Sequence, residues 1–161
     1  VDASGDQRSS AAGLAGAEGC SMKALTLYQP WPWAMGRFKW NETRSWATSY
    51  RGPLAIHAGK TLDRDYLHEA VVEGYLTNPK AVGMATGAVV AIGILADCRS
   101  TTGAIVNPDE RFWGNYAEGR FMWMFKGLRA VTPIPCAGHQ GLWDLPDSIA
   151  ERLAVLLPAH P

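Results

Sequence analysis

The run KALTLY at residues 23–28 sets the apolar positions Ala24 or Leu25 and Leu27 in alternation, which predicts a half-buried strand. QPWPWAMG breaks that pattern, because neither proline carries an amide donor. Pro30 and Pro32 suit the first turn of a short helix that Gly36 ends. Residues 39–46 predict a second extended run, and GPLAIHA, after an Arg51-Gly52 turn, a third. LDRDYLHEAVVEGYLT places Tyr66, Leu67, Ala70, Val71 and Leu76 at helical spacing, with Asp63 as the cap and Asn78-Pro79 as the stop. GAVVAIGILADC is the longest apolar run, and its β-branched residues and Gly93 predict a central, buried strand. Residues 98–118 read as a long polar loop, a feature often functional when it lies inside a compact domain. RFMWMFKGLRAV and QGLWDL predict two more strands. Ser148 with Glu151 reads as a capping box opening the helix SIAERLAVLL.

Five or six strands, three short helices and no β-α-β alternation predict an α+β fold, a small and mostly antiparallel barrel with helices on its flanks. The 161 residues suffice for one core. Residues 1–21 are rich in Gly, Ala and Ser without periodicity and read as a disordered leader, so the domain is expected over 22–161. No apolar run approaches the roughly 20 residues that span a membrane. Cys20, Cys98 and Cys136 form no C-x-x-C pair, which fits free thiols and predicts a cytoplasmic protein.

Charge changes the picture. The formal net charge is zero, yet residues 22–60 hold Lys23, Arg37, Lys39, Arg44, Arg51 and Lys60 against Glu42 alone, a net of +5. Four of the seven tryptophans lie in the same segment. Local charge is what an anionic ligand meets, and interleaved aromatics and bases are the pattern of single-strand nucleic-acid binders. Within GRFKWNETRSW (36–46), a regular strand puts Trp40, Glu42, Arg44 and Trp46 on one face and Lys39, Asn41, Thr43 and Ser45 on the other. The Glu42–Arg44 pair reads two ways: as a structural ion pair at a barrel mouth, or as contacts to a base amine and a phosphate.

Several separated motifs, in order, resemble an ASCH domain of the PUA-like superfamily, in its phage and bacterial versions. They are Gln29-Pro30-Trp31, Gly36-x-x-Lys39-x-x-Glu42-x-Arg44-x-Trp46, Tyr50-Arg51-Gly52 and Ile56-His57-Ala58, followed by FWGNYAEGRFMWMF and GHQGLWDLP. The resemblance covers nearly everything from Met22 to Pro146. It implies a PUA-like barrel with a basic cleft for RNA or a nucleoside. Small bacterial members are amidohydrolases acting on 4-N-acetylcytidine, and some relatives are reported to cut RNA.

In those amidohydrolases the lysine matching Lys39 is catalytic, and a threonine lies three positions on. Here that position is Glu42, with Thr43 beside it. A nearby glutamate favours an ammonium, not the free amine that a base requires. The family also uses a later acid, for which Asp97, Glu110 and Glu118 are unmatched candidates. His57 reads either as a hydrogen-bonded core histidine or as an acid or base for RNA cleavage. The nucleic-acid contacts expected are Gln29, Trp31, Lys39, Glu42, Arg44, Trp46, Tyr50, Arg51, Tyr116 and Arg120, and the catalytic candidates are Lys39, Glu42 and His57. Gln29 and Trp31 equally suit capping and packing of the short helix, and Arg51 a plain turn. The histidines and cysteines form no metal spacing, and no P-loop or G-x-G-x-x-G calls for a nucleotide cofactor. Three functions remain: a binder of single-stranded RNA or a modified nucleoside, a hydrolase acting on RNA or nucleosides, and a protein-interaction domain with tryptophan anchors.

Overall fold

The strands pair into one six-stranded sheet of order β2-β5-β4-β3-β1-β6. They are β1 (Lys23–Gln29), β2 (Asn41–Arg44), β3 (Gly52–Leu62), β4 (Ala88–Ser100), β5 (Phe121–Pro135) and β6 (Leu142–Asp144). Four helices intervene: α1 (Trp31–Ala34), α2 (Arg64–Val72), α3 (Pro108–Trp113) and α4 (Asp147–Ala154). This computed structural model describes residues 21–78 and 83–159, so the predicted leader up to residue 20, and Pro79, lie outside the described residues. The fold is α+β, and every strand pairing but one is antiparallel, as the apolar pattern predicts. The exception is β1 with β3, which run parallel. Parallel neighbours need a long crossover, and residues 30–51 supply it, carrying α1 and β2 across to the far edge of the sheet. The sheet is not closed: β2 and β6 are its two edges.

β4 lies inside the sheet, and its Val89, Ala91, Ile92 and Leu95 are fully buried. A strand covered on both faces reads as a continuous apolar run, which accounts for GAVVAIGILADC. Alternation along β1 sends Ala24 and Leu25 to opposite sides. Ala24 packs with Val89, Ile92, Trp143 and Leu153 of α4. Leu25 packs with Leu54, Ile56, Leu95 and Trp123. A third cluster joins Ala34 of α1, Leu67 and Ala70 of α2 and Trp113 of α3.

Three local expectations are corrected. The 98–118 stretch is not all loop: β4 runs on to Ser100, and α3 occupies its middle. Asn107 caps α3 by accepting from the Glu110 amide at 2.9 Å, and Pro108 takes the first turn. Within α3 itself only Phe112 and Trp113 give an apolar signal beyond its proline. The Ser148–Glu151 box does not form, because α4 already starts at Asp147 directly after Pro146 and has no side-chain cap. The helix capped by Asp63, whose Oδ1 accepts from the Tyr66 amide, ends at Val72 ahead of Gly74 (φ +84°), well before Asn78-Pro79.

Candidate nucleic-acid site

Residues of β2, at one edge of the sheet, and of β1 and β3, near the other, line a single cavity of about 1110 Å³. The open sheet is therefore curled around this space, and the cavity occupies the gap left where β2 and β1 do not meet. The tight turn before β2 sets its first polar residue. Gly36 has φ +76°, and a Cβ there would come within 3.2 Å of the Arg129 and Ala130 backbone, so only glycine suits the turn. The Ala34 carbonyl gathers the amides of Arg37, Phe38 and Lys39. Lys39 is thereby turned inward before the strand begins and is 1% exposed.

The Lys39 Nζ donates to the Trp113 carbonyl at 2.9 Å, one of the terminal carbonyls that α3 cannot satisfy within itself. It also lies 3.2 Å from Glu42 Oε2. That contact is an ion pair without an aligned hydrogen bond, so Oε2 is a buried acceptor with no hydrogen-bond partner. Glu42 Oε1 is 3.8 Å from Arg44 Nη1, and the Arg44 guanidinium lies over the Trp46 ring, 5.7 Å from its centroid. Thr43 Oγ1 accepts from the Asn115 amide at 2.8 Å, which ties the chain after α3 to β2.

Trp31 and Tyr66 form an aromatic wall, with ring centroids 4.5 Å apart. The Tyr66 hydroxyl donates to the Phe112 carbonyl, and burial, with Glu69 and Asp63 nearby, pushes its pKa up to about 12. Arg120, beside the start of β5, donates from Nε to the Asn115 carbonyl and from Nη2 to the Thr43 carbonyl. At the other end of the cavity lie Thr26, Tyr28, Lys60 and the segment 136–141.

His57 lies at that end, 2% exposed, with both ring nitrogens engaged. Nε2 faces the Cys136 carbonyl at 2.8 Å and so carries the hydrogen. Nδ1 is 3.2 Å from Thr26 Oγ1, which also accepts from Trp143 Nε1. The hydroxyl's one hydrogen goes to Nδ1, which completes a chain from Trp143 to Cys136. This is the core-histidine arrangement, and it anchors the 136–141 wall.

Of the residues expected from the sequence, Trp31, Lys39, Glu42, Arg44, Trp46, His57 and Arg120 line the cavity. Gln29, Tyr50, Arg51 and Tyr116 do not. Gln29 is buried, accepting from the Trp33 amide and donating to the Ala85 carbonyl, so it caps α1 where Pro30 has no side-chain acceptor. The Tyr50 hydroxyl donates to the Pro53 carbonyl. Arg51 donates to the Thr48 and Tyr50 carbonyls and pairs with Asp97 at 3.6 Å. The Tyr116 hydroxyl turns to Glu110. Trp40, expected on the Glu42 face, precedes β2 and is exposed.

Among the unmatched acids, Asp97 sits at the surface between Arg99 and Arg51. Glu110 is buried behind the site, and its Oε1 accepts from the Trp40 amide. Desolvation holds the Glu110 carboxyl above the usual carboxylate range, against the opposing pull of the Trp40 amide and Lys39. Sequence reasoning missed Tyr66, Thr26, Lys60, Asn115 and the 136–141 wall. In the sequence Tyr66 carries only a helix-face signal, and the others reach the cavity through pairings remote in sequence.

The lining carries Lys39, Arg44, Lys60 and Arg120 against Glu42 alone, a net of +3 in a chain whose formal charge is zero. Such a cavity can stack a planar ring, offer a buried acceptor at Glu42 and neutralise an anion. Among the described residues no cluster of His, Cys, Asp and Glu is arranged to hold a metal ion, and no helix is long and apolar enough to cross a membrane. No family model matches this sequence, and no curated protein matches it. Among solved structures, the chain is similar to the crystal structure of a tyrosine-to-phenylalanine mutant of ZmASCH from Zymomonas mobilis. The TM-score is 0.49 and the identity 12%, over 84% of this chain and 97% of that one.

Proposed function

We propose that this is an ASCH-type, PUA-like domain that binds single-stranded RNA or a modified nucleoside in its curled-sheet cavity. The observation that carries this reading is the concentration of charge: four cations and one carboxylate line a cavity walled by Trp31, Tyr66 and Trp46. Its volume of about 1110 Å³ is at the upper end of small-molecule sites, which run to roughly 1,000 Å³. A base stacks on the aromatic wall, the Glu42 carboxylate accepts from its exocyclic amine, and the cations meet the anionic backbone. The test is titration of a fluorescent single-stranded RNA with the protein at increasing salt. Affinity that falls steeply with salt and drops in Arg44→Ala supports the reading. Salt-insensitive retention, or none, refutes it, and capture of a protein ligand alone would favour an interaction domain.

One observation favours a second reading, hydrolysis. Lys39 places a buried nitrogen against Glu42 at the wall of a cavity that Thr43 also lines. An amidohydrolase acting on 4-N-acetylcytidine would release acetate, and Lys39→Ala would abolish that release while substrate binding persists. Mass detection of the products separates the two readings. A ribonuclease working through His57 is less well supported, because both ring nitrogens are already engaged.

A further inference from the structure

Two of the four cavity cations sit at one end of the β2–β5 ribbon. The register pairs Arg44 with Phe121, so Arg120 follows directly beyond the last paired position, and both arginines line the cavity. Their environments differ from that of Lys39, whose charge is met by Glu42 at 3.2 Å. Arg120 is held by two backbone carbonyls, those of Asn115 and Thr43. No carboxylate among the described residues lies within ion-pair distance of it. Of its five N–H groups these bonds use two, leaving three to a ligand on a guanidinium whose orientation is already fixed. Arg44 rests on Trp46 and touches Glu42 only at 3.8 Å, too long for a hydrogen bond. Two guanidiniums that line the same cavity, neither closely matched by a carboxylate, suit a tetrahedral oxyanion that accepts several N–H bonds at once.

We propose that Arg44 and Arg120 form a phosphate subsite at the β2–β5 end of the cavity, so that the ligand is a nucleotide or an RNA segment and not a free nucleoside. This rests on the binding reading above and narrows it. The phosphate is either a terminal monophosphate or an internal phosphodiester; both present the same oxygens to the two arginines. A purely structural Arg120 would serve only to hold the chain after α3 against β2. It would then support every ligand equally, with or without phosphate.

The experiment is calorimetric titration of the full chain, at low salt, with the four common ribonucleosides, their 5′- and 3′-monophosphates, a ribodinucleotide and inorganic phosphate. For at least one base, a phosphate-bearing ligand is expected to bind at least about tenfold more tightly than its nucleoside. Arg44→Gln and Arg120→Gln are each expected to remove most of that advantage while leaving nucleoside affinity within about twofold. Arg120→Lys, which keeps the charge but loses the fork, restores it only in part. A gain with a monophosphate assigns a terminal phosphate, and a gain confined to the dinucleotide assigns a phosphodiester. Equal affinity for nucleoside and nucleotide overturns the subsite while leaving the cavity a nucleoside site. Loss of both ligands together in the glutamine variants makes the arginines structural and overturns it as well. Binding of none of the probes sinks the binding reading and the subsite with it.

Discussion

Replacing Glu42 by Gln removes the counter-charge from a lysine that is 1% exposed, and the structure sets the size of the effect. At the 3.2 Å separation of Lys39 Nζ and Glu42 Oε2, Coulomb's law with an effective dielectric of about 20 gives an attraction of about 5 kcal/mol. The Trp113 carbonyl remains as a neutral partner, and Arg44 has nothing to offer a second cation. Breaking a buried pair from one side typically costs about 3–5 kcal/mol, because the surviving charge stays desolvated. That is a large share of the roughly 5–15 kcal/mol that holds a domain folded, and it corresponds to a fall in Tm of about 10 °C. Lys39→Met leaves Glu42 buried with only the distant Arg44 and is expected to cost a comparable amount. The double variant Lys39→Met/Glu42→Gln leaves neither charge behind and is expected to be less destabilised than the sum of the two by about 2 kcal/mol or more. Urea unfolding of the four proteins at one pH completes the cycle. A loss below about 1 kcal/mol in Glu42→Gln, or strict additivity, would refute the claim that these charges hold each other inside the fold.

Three further outcomes follow from the geometry. Because the folded-state pKa of Glu110 is raised by desolvation, its contribution to stability is fully present below the ordinary glutamate value of about 4.3 and is lost as pH rises through the raised value. The stability difference between wild type and Glu110→Gln, followed by denaturant midpoint across pH 3–8, should therefore shift against wild type as pH rises; a flat difference contradicts this. A Cβ at residue 138 would lie 2.5 Å from His57 Cε1 and 2.9 Å from Thr26 Oγ1, so Gly138→Ala is expected to lose about 1–3 kcal/mol of stability and to displace the His57 ring resonances in NMR spectra. Trp31→Ala removes half of the aromatic wall and should weaken binding of a single-stranded RNA by about 1–3 kcal/mol, with unchanged circular dichroism.

Much of this arrangement was legible in the chain. Alternation located β1, the Arg51-Gly52 turn marked the start of β3, and the unbroken apolar run located β4, because burial of one face leaves an alternating trace and burial of both a continuous one. The interleaved stretch 36–46 supplies Lys39, Glu42, Thr43, Arg44 and Trp46 to the cavity lining, while its Trp40 is exposed. Other features left no such trace. Helix α3 carries little apolar signal, and only the cap chemistry of Asn107-Pro108 marks it. Gln29, Tyr50 and Arg51 had the right residue types for a cleft, but they engage backbone carbonyls, an amide and, for Arg51, the Asp97 carboxylate, and residue type does not reveal which polar group a side chain will find.

The chain's own pattern of apolar, basic and aromatic positions determined the α+β class, the central strand and the concentration of base and tryptophan within residues 22–60. Only the tertiary structure decided that β1 and β3 run parallel, that the sheet curls without closing, and that Lys39 turns inward to Trp113, 74 residues away in the chain. The physical reason is range. A side chain's periodic pattern is set by the face its own segment buries. A buried charge or an engaged histidine is set by partners that arrive only when distant segments pack.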